Sequence, residues 1–111
     1  MPTELVMTSA THPTRGAVVD AVQDLHPQGY LADYRGGEIV QVIDADGRGL
    51  LTLFPPRPIE AIEEASRTVR GEVRSLDMWT DMTIPYGDPT QGRALAEAIA
   101  VRAGGRIHER N

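Results

Sequence analysis

The residues of this chain that could do chemistry are few, and their spacing argues against most of it. The histidines are His12, His26 and His108, and no two of them have the i,i+4 or other close spacing of metal ligands. A zinc site would have to be assembled by folding. Ser9, His12 and Asp20 include the residue types of a nucleophilic triad, but no nucleophile elbow surrounds the serine. A loop serine beside a helix-start histidine is the simpler reading. The chain has no cysteine, which removes disulfides, thiolate metal sites and cysteine nucleophiles together. All 11 basic residues are arginine, so a lysine Schiff base and a lysine-type phosphate loop are also excluded. Asp44 and Asp46 invite a calcium reading, yet counting from Asp44 the fifth position is Arg48 and the twelfth is Pro55, where such a loop needs oxygen ligands. No catalytic group, metal or cofactor is expected.

What remains points to binding. From Leu76 to Ile84, Leu76, Met78, Thr80, Met82 and Ile84 alternate with Asp77, Trp79, Asp81 and Thr83, the period of a strand with one buried face. The single tryptophan therefore stands between two aspartates on the less apolar side, unless a second layer covers that side as well. Trp79, Asp77 and Asp81 are the leading candidates for partner contact, backed by Tyr86, by Asp44 and Asp46, and by Glu60, Glu63 and Glu64. The last three also suit the positive end of a helix dipole, which is a sufficient structural reason for them. The formal net charge is −5, and from Asp20 to Asp46 six carboxylates face the single Arg35. Such a surface repels phosphate backbones and attracts basic proteins, although charge alone is equally met in a merely soluble domain.

The elements that must position these residues follow from periodicity. A chain of 111 residues is long enough for one core, so residues 1–111 are read as a single domain. A strand around Leu5, Val6 and Met7 precedes a helix from about Thr14 to His26, whose apolar stripe is Ala17, Val18, Ala21, Val22 and Leu25. Tyr30–Tyr34 begins a strand that Gly36 and Gly37 bend or bulge. Glu38–Asp44 and Leu50–Phe54 flank a hairpin turn, and Pro55, Pro56 and Pro58 stop the second of these strands. A helix is expected from Pro58 to about Arg70, with Ile59, Ile62, Ser66 and Val69 inward. After the Trp79 strand, Asp88, Pro89 and Gln91 signal a helix start. Ala94, Leu95, Ala98, Ile99 and Val101 form its buried side, and Arg106–Arg110 an edge strand. The two ends echo each other, Pro13-Thr14-Arg15-Gly16 against Pro89-Thr90-Gln91-Gly92, although their apolar faces align only after a slip of one residue. The expected fold is α+β, a mainly antiparallel sheet with helices packed on it, in the order β-α-β-β-α-β-α-β. This is a split β-α-β core plus an extra α-β.

A small, acidic, cysteine-free α+β chain with no catalytic constellation resembles the immunity proteins of bacterial contact-dependent growth inhibition and related polymorphic toxin systems. The resemblance is one of type and rests on no diagnostic motif. It implies a protein that neutralises a cognate toxin, often a basic nuclease, by covering an essential surface, with no enzyme activity of its own. Two alternatives stand beside it. One is a small-molecule-binding regulatory domain, since related sheets hold ligands at their edges. The other is a tautomerase-like enzyme, because small tautomerases with two related halves use an amino-terminal proline as base and Pro2 follows the initiator; the polar Thr3-Glu4 and the middle helix depart from that family. Met1–Met7 lacks a basic region followed by an apolar run, and no stretch approaches the length of a membrane span, so a cytoplasmic location away from membranes is expected.

Overall fold

The computed structural model describes residues 2–11, 13–59, 62–70, 78–85 and 87–110, with backbone alone at Ile62, Glu63 and Ser66. The described strands are β1 (Thr3–Ser9), β2 (Tyr30–Tyr34), β3 (Ile39–Ile43), β4 (Gly49–Leu53), the short β5 (Arg57–Pro58), β6 (Met78–Ile84) and β7 (Gly105–Glu109). They form one sheet in the order β2-β3-β4-β6-β1-β7, with β5 on β6 beyond the end of β4, and every described pairing is antiparallel. The helices are α1 (Arg15–Leu25), α2 (Ile62–Thr68) and α3 (Thr90–Ala103). The α+β class and mainly antiparallel sheet expected from the sequence are present. No helix among the described residues is long and apolar enough to cross a membrane.

The sheet order redraws the split β-α-β core. The strands alternate in direction, so β6 and β7 run parallel with β1 between them, joined by α3; β1 and β4 run parallel with β6 between them. The core is therefore β1-α1-β4-β6-α3-β7. The β2–β3 hairpin and α2 are the additions, whereas the sequence pattern suggested the terminal helix and strand. The difference arises at Gly36 and Gly37. Both have positive φ, 68° and 93°, as does Arg35 at 51°. Left-handed backbone at successive residues reverses the chain fully, so that Tyr30 pairs with Ile43 and Tyr34 with Ile39, where only a bend was expected. The prolines after Phe54 likewise interrupt pairing without ending it, because Arg57 and Pro58 resume it opposite Trp79 and Met78.

One face of the sheet carries the main core. Leu5, Met7, Val42, Leu51, Leu53, Met82 and Ile84 point to it and meet Val18, Ala21 and Val22 of α1 and Leu95, Ala96, Ile99, Ala100 and Ala103 of α3. Helix α1 follows its stripe closely and is capped by Thr14, whose side chain accepts from Ala17 N–H at 3.1 Å; Leu25 at its end is exposed. Helix α3 departs from expectation. Its buried row is Gly92, Leu95, Ala96, Ile99, Ala100 and Ala103, while Val101 is 77% exposed. Small residues win the inward side because the helix lies close on the sheet. A Cβ built at Gly92 would stand 2.6 Å from the Leu50 carbonyl oxygen and 2.9 Å from two Ile84 carbons. Asp88 supports the start of α3 by accepting from the Thr90 amide at 2.9 Å and the Thr90 hydroxyl at 2.5 Å, which also holds its carboxyl below the usual range.

The two glycines matched in the sequence echo should thus behave oppositely. Gly92→Ala is expected to destabilise by about 1–3 kcal/mol through overpacking. Gly16→Ala, on the exposed first turn of α1 with only the Thr14 hydroxyl near, should stabilise by about 0.5–1 kcal/mol. Urea melts of the two variants beside the unsubstituted protein measure both signs.

Candidate functional site

Trp79 does point away from the main core, but its face is covered. Helix α2 lies over the start of β6, and Trp79 is only 5% exposed in a second cluster with Val6, Ala65 and Val69, with Ile59 packed against it. Ala65 of the middle helix and Val69, which follows its end and bridges to Arg110, supply the covering side chains; the helix is shorter than the sequence suggested and covers this face in place of the terminal helix. The indole is fixed by polar contacts as well. Its N–H donates to Asp81 Oδ1 at 3.0 Å, the same oxygen accepts from Arg110 at 2.7 Å, and Arg57 stands 3.6 Å from Oδ2. The Arg57 guanidinium lies 5.9 Å from the centre of the indole ring, within reach of a cation–π attraction. Asp81 is therefore a structural acceptor shared by three donors and does not stand as a free acid for a basic partner.

A groove of about 370 Å³ opens between β5, α2 and the end of the chain, lined by Arg57, Pro58, Glu64, Thr68, Trp79 and Arg110. Its rim mixes two cations with the exposed Glu64. Of the other expected contact residues, Asp77, Tyr86 and Glu60 lie outside the described residues, and Glu63 lies in α2 without a described side chain. Asp44 and Asp46 sit elsewhere. The β3–β4 turn packs beside Pro85 and Gly87, past the far end of β6 from Trp79. At the rise of a strand this separates the turn from the groove by about 20 Å. Asp44 Oδ1 accepts from the amides of Asp46 and Arg48, each at 2.9 Å, so this carboxylate shapes the turn, and Asp46 is left exposed at its tip. The structure thus joins Trp79, Asp81 and Glu64 in one place and Asp44 with Asp46 in another.

A surface that the sequence reading passed over lies between them. By strand register, Tyr30, Ala32 and Tyr34 of β2, Ile39, Gln41 and Ile43 of β3, Thr52 of β4 and Thr83 of β6 share the face opposite the main core. Tyr30 and Tyr34 are 53% and 50% exposed, and the Tyr34 hydroxyl donates to Gln41 at 3.2 Å. The signal was present as Tyr-x-Ala-x-Tyr and Ile-x-Gln-x-Ile, two alternating runs that the expected bend at Gly36 concealed as one. Asp33, on the other side of β2, is held by Arg15 through two contacts of 2.5 and 3.0 Å.

The chemistry-bearing residues are otherwise absorbed by the fold. His108 is buried with both ring nitrogens engaged: Nδ1–H donates to the Arg70 carbonyl and the Thr8 hydroxyl donates to Nε2, each at 2.7 Å. His12 lies outside the described residues, and His26 ends α1. Among the described residues no group of three or more His, Asp or Glu side chains could hold a metal. Pro2 is exposed and lines neither the groove nor the second cavity described below.

Trp79→Ala is expected to act on folding, with a loss of about 3–5 kcal/mol, the scale of emptying a large aromatic site. A loss below about 1 kcal/mol in denaturant melts would mean that α2 does not hold the ring in solution.

Comparison of the chain with protein-family models, with curated proteins and with solved structures finds no match.

Proposed function

We propose that this protein is a binding module that neutralises a basic partner by laying the open face of β2, β3 and β4 over it, as an immunity protein does to its toxin. The observation that supports this reading is the uncovered sheet face bearing Tyr30 and Tyr34, which ends at the acidic β3–β4 turn. Tyrosine is favoured at interfaces because it brings a large rigid area at little rotamer cost and a hydroxyl that stays satisfied at the wet edge. On this face the tyrosines stand beside Ile39 and Ile43, which are only partly buried. The outer edge of β2 adds a row of backbone groups that a partner strand can pair with.

Charge supplies the direction of the partner. With a net charge of −5, long-range attraction favours a cationic protein, and Asp46 and Glu38 lie exposed at the two ends of β3. The partner of this reading is a cognate toxin domain met in the cytoplasm, and the chain acts by occlusion, without chemistry of its own. The interface sought at Trp79 moves to the tyrosine face; Trp79 serves it by holding the sheet.

The test measures binding to the product of the gene immediately upstream, taken as the candidate toxin of this reading. The double variant Tyr30→Ala, Tyr34→Ala should lose about 2 kcal/mol or more of binding in calorimetry. Its unfolding free energy should move by only about 0.5 kcal/mol, as expected of exposed positions. Asp46→Asn should slow association chiefly at low salt. Unchanged affinity in the double tyrosine variant would overturn the assignment.

A further inference from the structure

Thr80 is an anomaly in the main core. It lies in β6 on the same face as Met82 and Ile84 and is 1% exposed, yet its hydroxyl has no hydrogen-bond partner among the described residues. Buried hydroxyls are nearly always satisfied, because leaving water without a replacement contact is costly. The cause lies in the neighbouring strand. Phe54 N–H donates to the Asp81 carbonyl at 3.0 Å, and pairing resumes with Arg57 opposite Trp79. Two residues, Pro55 and Pro56, thus bulge outward opposite Thr80 alone. The prolines bring no amide donor, and the bulge leaves a cavity of about 380 Å³ lined by Thr80.

The cavity has the composition of a ligand site. Its walls include Val18, Val40, Leu53 and the two prolines, and its volume falls in the range of small-molecule pockets. Thr14 and Arg15, the first residues of α1, line it as well. That helix runs for 11 residues and has no acidic residue in its first turn, so the positive end of its dipole is not offset from within. The Arg15 side chain is committed to Asp33. Glu38 also lines the cavity, with its side chain exposed to water.

We infer that this cavity binds a small, mostly apolar carboxylic acid. The α1 amino terminus and the Thr80 hydroxyl receive its carboxylate, and Val18, Val40 and Leu53 hold its apolar part. This site lies on the opposite face of the sheet from Tyr30 and Tyr34 and stands or falls independently of the protein-binding reading.

Hexanoate and phenylacetate are the probes, with hexanol as the neutral control, in an amide NMR titration of the whole chain. The acids should shift the Arg15, Gly16 and Thr80 amides along one saturable curve, and hexanol should bind about tenfold more weakly. Thr80→Val, nearly isosteric, should melt higher than the unsubstituted protein because an unsatisfied group is gone, yet bind hexanoate about fivefold or more weakly. Thr80→Ser should keep the affinity. The inference is overturned if neither acid gives a saturable shift at these amides, if hexanol binds as tightly as hexanoate, or if Thr80→Val binds hexanoate as well as the unsubstituted protein does.

Discussion

The central pair β1 and β6 is buried on both faces along most of its length, and that constraint sets the rest of the structure. Leu5 through Ser9 are all buried, as are Trp79, Thr80, Met82 and Ile84. Strands buried on two sides require two covering layers. Helices α1 and α3 pack together as one layer over the main core. Among the described residues the second layer is the short α2, whose seven residues do not span a sheet of this width. It is placed where the need is greatest, over Val6 and Trp79. The strands farthest from β1 on that side, β2 and β3, are left with one face in water, and they carry the half-exposed tyrosines. The half-exposed tyrosines on β2 and the position of α2 over Trp79 are two outcomes of the same shortage of covering helix among the described residues.

Much of this arrangement could be read from the sequence, and what could not has identifiable causes. Alternation from Leu76 to Ile84 placed Trp79 on the correct face of β6, and the stripe of α1 was legible down to Val22. The covering of Trp79 was not, because the residues that do it are sparse: Ala65 on a helix dominated by charge, and Val69 just past its end. In α3 the pattern of large apolar residues misled: Val101 faces water, and the inward row is filled by alanines and Gly92. Close approach of helix to sheet selects small side chains, and hydrophobicity alone does not register that demand. Full reversal at Gly36 and Gly37 depends on successive left-handed residues, Arg35 included, and a non-glycine residue there is rarely anticipated. The candidate site fared worse than the fold, since a carboxylate beside a tryptophan looks the same in sequence whether it is free or, like Asp81, shared among an indole and two arginines.

That last ambiguity bears on the whole charge pattern. The arginines act largely as ties between elements: Arg15 with Asp33, Arg102 with Asp24, Arg93 and Arg70 with Glu109, and Arg110 and Arg57 with Asp81. Arginine suits the task better than lysine because its planar fork can hold a carboxylate through two contacts, as Arg15 does. Exposed pairs of this kind contribute little to stability, about 0–1 kcal/mol each. Their larger effect is on the field. These ties set six arginines against four carboxylates, since Asp81 and Glu109 each take two, so the charged groups outside them sum to −7, more acidic than the net −5 of the chain. Asp24 and Asp33, two of the six carboxylates between Asp20 and Asp46, are consumed in this way, and Asp44 is turned inward on its own turn. Asp20, Glu38 and Asp46 remain exposed from that stretch; Glu38 precedes β3 at the cavity on the main-core side, and Asp46 stands at the tip of the turn that follows β3. For the proposed binding reading, the half-exposed tyrosines supply apolar area and Asp46 at the adjoining turn supplies an acid that no arginine among the described residues engages, whereas Asp81 beside the groove over Trp79 is already held by Arg57 and Arg110.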